Sequence, residues 1–172
     1  MKTEVPIEYL HERLIYDPAS GELRWKSWRG APRWSGRYAG KLAGCRDHRD
    51  YVHIGLMYLG RQYQFLAHRV AFAMAHGRWP ADQVDHKNRH RSRNHLANLR
   101  EATHQQNVHN SGKRSHNTSG CAGVYRDGQR WKAQIQVDGK RKHLGRFSNI
   151  EDASQAYLVA KQQLHQFYAT GG

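Results

Sequence analysis

Apolar residues recur at helical spacing near both ends of the chain and alternate with polar ones in between. Ile7, Leu10 and Leu14 share a stripe, and Pro6 suits a first helical turn, so residues 6–15 are expected to be helical. Tyr16-Asp17-Pro18-Ala19-Ser20-Gly21 carries turn chemistry, and residues 22–25 read as a short strand. Residues 26–40 are rich in Trp, Arg, Gly and Ser, follow no period, and read as a loop. Residues 51–56 and 62–66 alternate as strands joined around Gly60, and residues 68–76 form a short helix closed by Gly77. Residues 84–86 are a strand candidate, 87–97 a polar loop, and 98–100 the return strand. Thr103 and Gln106 are spaced as a capping box that opens a short helix stopped by Ser111-Gly112. Further on, residues 123–125, 131–137 and 141–147 alternate as three strands, with Asp127-Gly128 and Asp138-Gly139 at the turns. Ser148 and Glu151 form a second box. Ala153, Ala156, Tyr157, Ala160, Leu164 and Phe167 then line one face of a helix running to about residue 168.

These elements give an α+β chain in three parts: residues 1–110, with a small β-rich region over 1–83 and a ββα unit over 84–110; a basic linker, 111–119; and a three-stranded antiparallel sheet with one helix, 120–172. No fixed-period repeat is visible. Two cysteines, Cys45 and Cys121, with no CxxC pair, argue against a disulfide scaffold and a thiolate zinc site. No apolar run reaches membrane-span length and no signal segment follows Met1, so an intracellular protein is expected, with no membrane partner.

Charge narrows the partners. Twenty-eight Lys and Arg stand against 14 Asp and Glu, a net charge of +14. Residues 84–118 hold seven basic and two acidic side chains, a net +5 equal to that of residues 1–83 in less than half the length. They also hold six of the 13 histidines. A polyanion is the expected partner.

Within that segment Asp85, His86, Asn98 and Asn107 carry candidate chemistry. Phosphodiester cleavage needs a base to take a proton from water, which a neutral histidine does near pH 7. It needs a hard cation against the developing charge, and Asp85 and Asn107 offer oxygen donors suited to Mg²⁺. It also needs an orienting partner for the imidazole. In a regular strand Asp85 and His86 would face opposite sides, a tension that twist or strand termination must relieve.

Val84-Asp85-His86, Arg91-Ser92-Arg93-Asn94, Asn98-Leu99-Arg100, Thr103 and Asn107 together resemble the HNH endonuclease motif of phage and homing-type enzymes, with Asn98 and Asn107 lying 12 and 21 residues past His86. Tyr16-Asp17-Pro18, Gly21, Trp25, Ala67-His68-Arg69, Gly77 and Pro80 resemble the region preceding that motif in phage proteins. The resemblance implies a ββα-metal core. It implies His86 as general base, Asn98 as its positioner, and Asp85 with Asn107 as ligands of a divalent ion, Mg²⁺ or alternatively Mn²⁺. The loop after His86 is more basic than is usual there, and Arg89, Arg91, Arg93 and Arg100 are expected to grip phosphates. Lys113 and Arg114 of the linker are expected to follow the DNA backbone. The cysteine pairs that hold a structural zinc in some relatives are absent, so none is expected. His104 and His109 are alternative ligands, and His68 is read as a packing residue under the site.

Gly123-Val124-Tyr125, Trp131-Lys132-Ala133, Ile135, Leu144-Gly145-Arg146-Phe147 and Ala153…Ala156-Tyr157 resemble the AP2 domain, a family that lays its sheet into the major groove. Arg130, Lys132, Gln134 and Gln136 share one face of the middle strand, and Trp131, Ala133, Ile135 and Val137 the other. Tyr125, Arg130, Gln134, Gln136, Arg141 and His143 are the expected DNA-facing set. The expected whole is a metal-dependent endonuclease acting on double-stranded DNA, phage-encoded or homing-type. Its rivals are a non-catalytic DNA-binding regulator and an RNA binder. A monomer is favoured, and the target sequence and the number of strands cut stay open.

Overall fold

A computed structural model describes residues 4–110, 117–137 and 139–165. The chain divides into two compact units, residues 1–104 and 105–172. The boundary lies inside the helix after Thr103, a little before the expected linker.

In the first unit, α1 (Ile7–Arg13) buries Leu10 and hands directly to β1 (Leu14–Tyr16). β1 pairs antiparallel with β2 (Leu23–Trp25), Leu14 opposite Trp25. The helix is shorter than its stripe because Leu14 spends its backbone bonds on that ladder. The expected loop 26–40 contains a helix, α2 (Pro32–Tyr38), with proline at its start. The Ser35 hydroxyl accepts from Trp28 N (2.7 Å) and donates to Trp28 O (2.8 Å). Trp34 packs edge-on against Trp25 and over Tyr38. Two turns of aromatic contact leave no aliphatic period to read, which is why the pattern reads as loop.

A three-stranded antiparallel sheet follows, in the order β3 (Cys45–Arg46), β4 (Val52–Tyr58), β5 (Arg61–Leu66). Its inner face buries Ile54 and Leu56. Against it lies α3 (Ala67–His76), whose Val70, Ala71 and Ala73 are fully buried; Gly77 follows at φ 66°, as its position predicts. α3 is covered by α1, β4 and β5 and by the hairpin that comes next, so it is apolar on most sides. That hairpin is β6 (Gln83–His86) with β7 (Leu99–Ala102), Asp85 opposite Arg100 and His86 opposite Leu99. The return strand begins one residue later than expected because Asn98 closes a 3₁₀ turn.

Glu101 on β7 ties down the approach to the hairpin. Its carboxylate accepts from Arg78 (3.0 and 2.6 Å) and from Ala81 N (2.6 Å). The Arg78 bonds foremost hold the acid at about 2, below its ordinary 4.5. A depressed acid stabilises the fold above its unfolded value and loses that contribution as pH falls through its folded value. The melting-temperature gap between wild type and Glu101→Gln should therefore be full above about pH 4.5 and close as pH falls toward 2. It should be small, because both side chains are partly exposed.

α4 (His104–Asn110) spans the boundary between the units. The second unit is a meander ordered β10–β9–β8, built from β8 (Val124–Asp127), β9 (Arg130–Val137) and β10 (Lys140–Phe147), with α5 (Ile150–Leu164) packed on one face. Val124, Ala133 and Ala153 form its buried centre, beside Trp131, Leu144 and Phe147. The last residues of the expected linker belong to this unit: Ser119 Oγ donates to Val124 O and accepts from Cys121 N, and Asn117 Nδ2 donates to Cys121 O. Lys113 and Arg114 lie outside the described residues. The second capping box is shifted by one position. Asn149, not Ser148, accepts from Asp152 N (2.8 Å), and its amide returns to Asp152 Oδ2. α5 ends at Leu164, and Phe167 lies outside the described residues. No helix among the described residues is long and apolar enough to cross a membrane.

Candidate active site

His86 ends β6 with 4% of its surface exposed. Its Nε2 lies 3.0 Å from Asn94 Oδ1. An amide oxygen only accepts, so Nε2 carries the proton and a neutral ring places its lone pair on Nδ1. Burial holds the imidazole below its ordinary 6.5, against the opposing pull of the Asn94 bond and of Asp85, so the ring is neutral at pH 7. His68, from the first turn of α3, meets His86 edge to face at 4.9 Å, and Tyr51 packs against both rings. Burial foremost, then the neighbouring His86, pushes His68 down to about 3, so it acts there as an uncharged packing ring.

Asn94 is 4% exposed and owes its position to the first unit's β1–β2 turn. Tyr16 Oη donates to Asn94 O (2.8 Å), and Leu96 N donates to Pro18 O (2.9 Å). The turn closes at Gly21, φ 81°, where a Cβ would lie 2.2 Å from His95 N and 2.4 Å from Asn94 C. Glycine is needed here both for its backbone angle and for the close approach. Gly21→Ala is expected to displace the Asn94 segment and, with it, the ring of His86. The check is a cleavage rate at least tenfold below wild type, beside a melting curve showing a folded protein.

Asn98 was expected to orient His86, and the structure places it one step further back. Its Oδ1 accepts from Asn88 N (3.0 Å) and its Nδ2 donates to Arg93 O (2.8 Å), so it braces the loop that carries Asn94. Asn94 supplies an orienting contact to His86. Asp85 is 6% exposed, and Arg100 binds its Oδ2 through Nε (3.0 Å) and Nη2 (2.8 Å). Arg100, expected on phosphate, instead turns inward to that carboxylate. Both faces of β6 are covered: Gln83 is half-buried, and Val84, Asp85 and His86 are all buried, with the strand ending at His86. Arg89, Arg91 and Arg93 are exposed on the loop, Arg89 with φ 65°, and Arg91 lies over the Tyr51 ring. Asn107 lies half-buried on α4, in the second unit. His104 opens α4 with its Nδ1 3.3 Å from Gln83 Nε2.

Residues 65–109, which hold α3, the β6–β7 hairpin and most of α4, match the HNH endonuclease family model. This segment is an HNH endonuclease domain. Forty-seven residues of the chain, 26% of it, are 45% identical to an ethylene-responsive transcription factor-like protein of Arabidopsis thaliana, and the chain spans about a fifth (21%) of that protein's length. The solved structure of the HNH homing endonuclease I-HmuI is similar at 19% identity and a TM-score of 0.45, over 94% of this chain and 87% of that one.

The HNH domain thus brings together His86, Asn98 and Asp85 of the expected set, with Asn94, His68 and Tyr51 added. Asn94 stands in the motif the sequence displays, eight residues past His86, yet among so many polar loop residues nothing in the local pattern singles it out. In the second unit, register puts the expected set on one face. Gln134 pairs with His143, Gln136 with Arg141, and Tyr125 with Lys132, opposite the face that buries Ala133 and Ile135. Arg130 shares that outer face. Arg146 joins it opposite Lys132, where strict alternation from Arg141 and His143 would not place it. The register shifts between His143 and Gly145, and a glycine inside a strand is the sequence signal for such a bulge.

Proposed function

We propose that this chain is a divalent-metal-dependent DNA endonuclease, with its HNH domain cutting and the outer face of the β8–β10 sheet holding the duplex. The observation that carries the reading is the His86–Asn94 contact. It fixes a neutral imidazole with its proton on Nε2 and its lone pair on Nδ1, the state a general base must hold before water is deprotonated. His86 Nδ1 takes a proton from water, the hydroxide attacks phosphorus, and the bond from phosphorus to O3′ breaks. The products are a 5′-phosphate and a 3′-hydroxyl.

On the resemblance to HNH enzymes, Asp85 would hold the metal, its carboxylate oxygens being the kind of donor a hard cation such as Mg²⁺ prefers. When bound, such an ion offsets the charge that develops on the leaving oxygen. Arg100 orients Asp85 for that role through two bonds to Oδ2. Arg89, Arg91 and Arg93 extend the site toward flanking phosphates. Tyr125, Arg130, Gln134, Gln136, Arg141 and His143 form the reading face, where Gln suits adenine and Arg guanine. A phage-borne or mobile nuclease is the setting this reading favours.

Incubation with supercoiled plasmid tests it. Nicked or linear product with Mg²⁺ or Mn²⁺, and none with EDTA, supports the endonuclease. A retarded plasmid that stays uncut with both ions overturns it in favour of a regulator that keeps the HNH fold as scaffold.

A further inference from the structure

The nuclease reading leaves one strongly charged element unused. From Leu23 to Leu42 the chain carries six cations and no carboxylate: Arg24, Lys26, Arg29, Arg33, Arg37 and Lys41. Arg24 is paired with Glu22, and Lys26 donates to His11 O. Arg29, Arg33 and Arg37 are exposed and enter no ion pair among the described residues. Arg33 and Arg37 stand at i and i+4 on α2, one above the other on a single stripe.

Gly36 lies on that same stripe, in the interior of the helix. A Cβ there would meet nothing within 4 Å, and the residue has no positive φ to excuse it. Neither conformation nor internal space calls for glycine, which in a helix interior is less stable than alanine. A remaining physical use of a missing side chain is close approach by something outside the molecule.

The element is also held firmly. Arg13, 7% exposed, lies with its guanidinium 3.9 Å from the Trp28 ring and 5.1 Å from that of Trp34, and its Nε and Nη1 reach no hydrogen-bond acceptor. The tryptophans therefore clasp a buried cation that fixes α2 to α1. A clasped ridge has little order left to lose on binding.

We infer that the Arg33–Gly36–Arg37 stripe of α2, with Arg29, is a second contact surface for the phosphate backbone of duplex DNA, which approaches the helix most closely at Gly36. Rows of unpaired arginines fit a partner whose charges repeat along its outside, and a phosphodiester backbone presents them so. The inference rests on the endonuclease reading for its choice of DNA, and it assigns a surface outside the segment that carries the cleavage chemistry.

The test measures affinity for a plain-sequence duplex across salt concentrations, in EDTA so that no cutting intervenes. Wild type, Arg33→Gln/Arg37→Gln and Gly36→Ala are compared as full chains, each with a melting curve. Two lost phosphate contacts should lower the slope of log affinity against log salt by about two. Gly36→Ala should raise the melting temperature while weakening binding several-fold, a combination that a purely structural glycine would not give. If wild type binds and both variants match its affinity and slope, this inference falls and the endonuclease reading stands. If wild type shows no salt-dependent duplex binding, both fall.

Discussion

His86→Ala is expected to lower metal-supported cleavage about 10²–10⁴-fold, the usual contribution of a positioned general base. Duplex affinity should stay close to wild type, because a 4% exposed imidazole offers little contact surface to DNA. The size of the effect follows from the preparation of the ring. Asn94 removes the wrong tautomer, His68 and Tyr51 restrict its tilt, and burial keeps it unprotonated at neutral pH. Truncation discards all of that at once. Because His86 is buried, His86→Asn serves as the companion variant: it refills part of the space and should be as inactive as alanine. Single-turnover rates, gel shifts and melting curves separate lost chemistry from lost fold. A fully folded His86→Ala protein cutting within threefold of wild type would remove His86 from the mechanism.

Arg100→Leu is expected to destabilise the first unit by about 3 kcal/mol, since it takes away the guanidinium that balances a buried carboxylate. For a unit of this size that is a fall of roughly 10–20 °C in melting temperature. The double variant Asp85→Asn/Arg100→Leu should recover much of the loss, because the buried charge is gone. Mg²⁺ should raise the melting temperature of Arg100→Leu by more than that of wild type if Asp85 faces the ion, since a bound cation then supplies the missing positive charge. A loss under 1 kcal/mol in urea titrations would mean that water screens Asp85, against its 6% exposure.

Most of the architecture was legible because aliphatic residues obey the period of the element they belong to. β4, β5 and β9 alternate, and the stops at Gly60 and Gly77 use glycines at positive φ as expected. What escaped was held by other forces. α2 is nucleated by Pro32 and organised by Trp34, Tyr38 and a serine bridge, none of which makes an aliphatic stripe. The cap at Asn149 won over Ser148 through a reciprocal side-chain pair with Asp152, a choice that spacing alone leaves undecided. In the candidate site, Asp85 and His86 stand out by chemical type and spacing. Asn94 and the inward turn of Arg100 do not, because both depend on contacts across the hairpin and on a turn some 75 residues away in sequence.

Chemical rescue of the base tests the account most directly. His86→Gly is given a labelled duplex with Mg²⁺, with and without added imidazole, beside wild type. Cleavage near zero without imidazole, rising to a plateau as imidazole fills the vacated pocket, is the predicted result. Cleavage by His86→Gly at the wild-type rate, indifferent to imidazole, would contradict it.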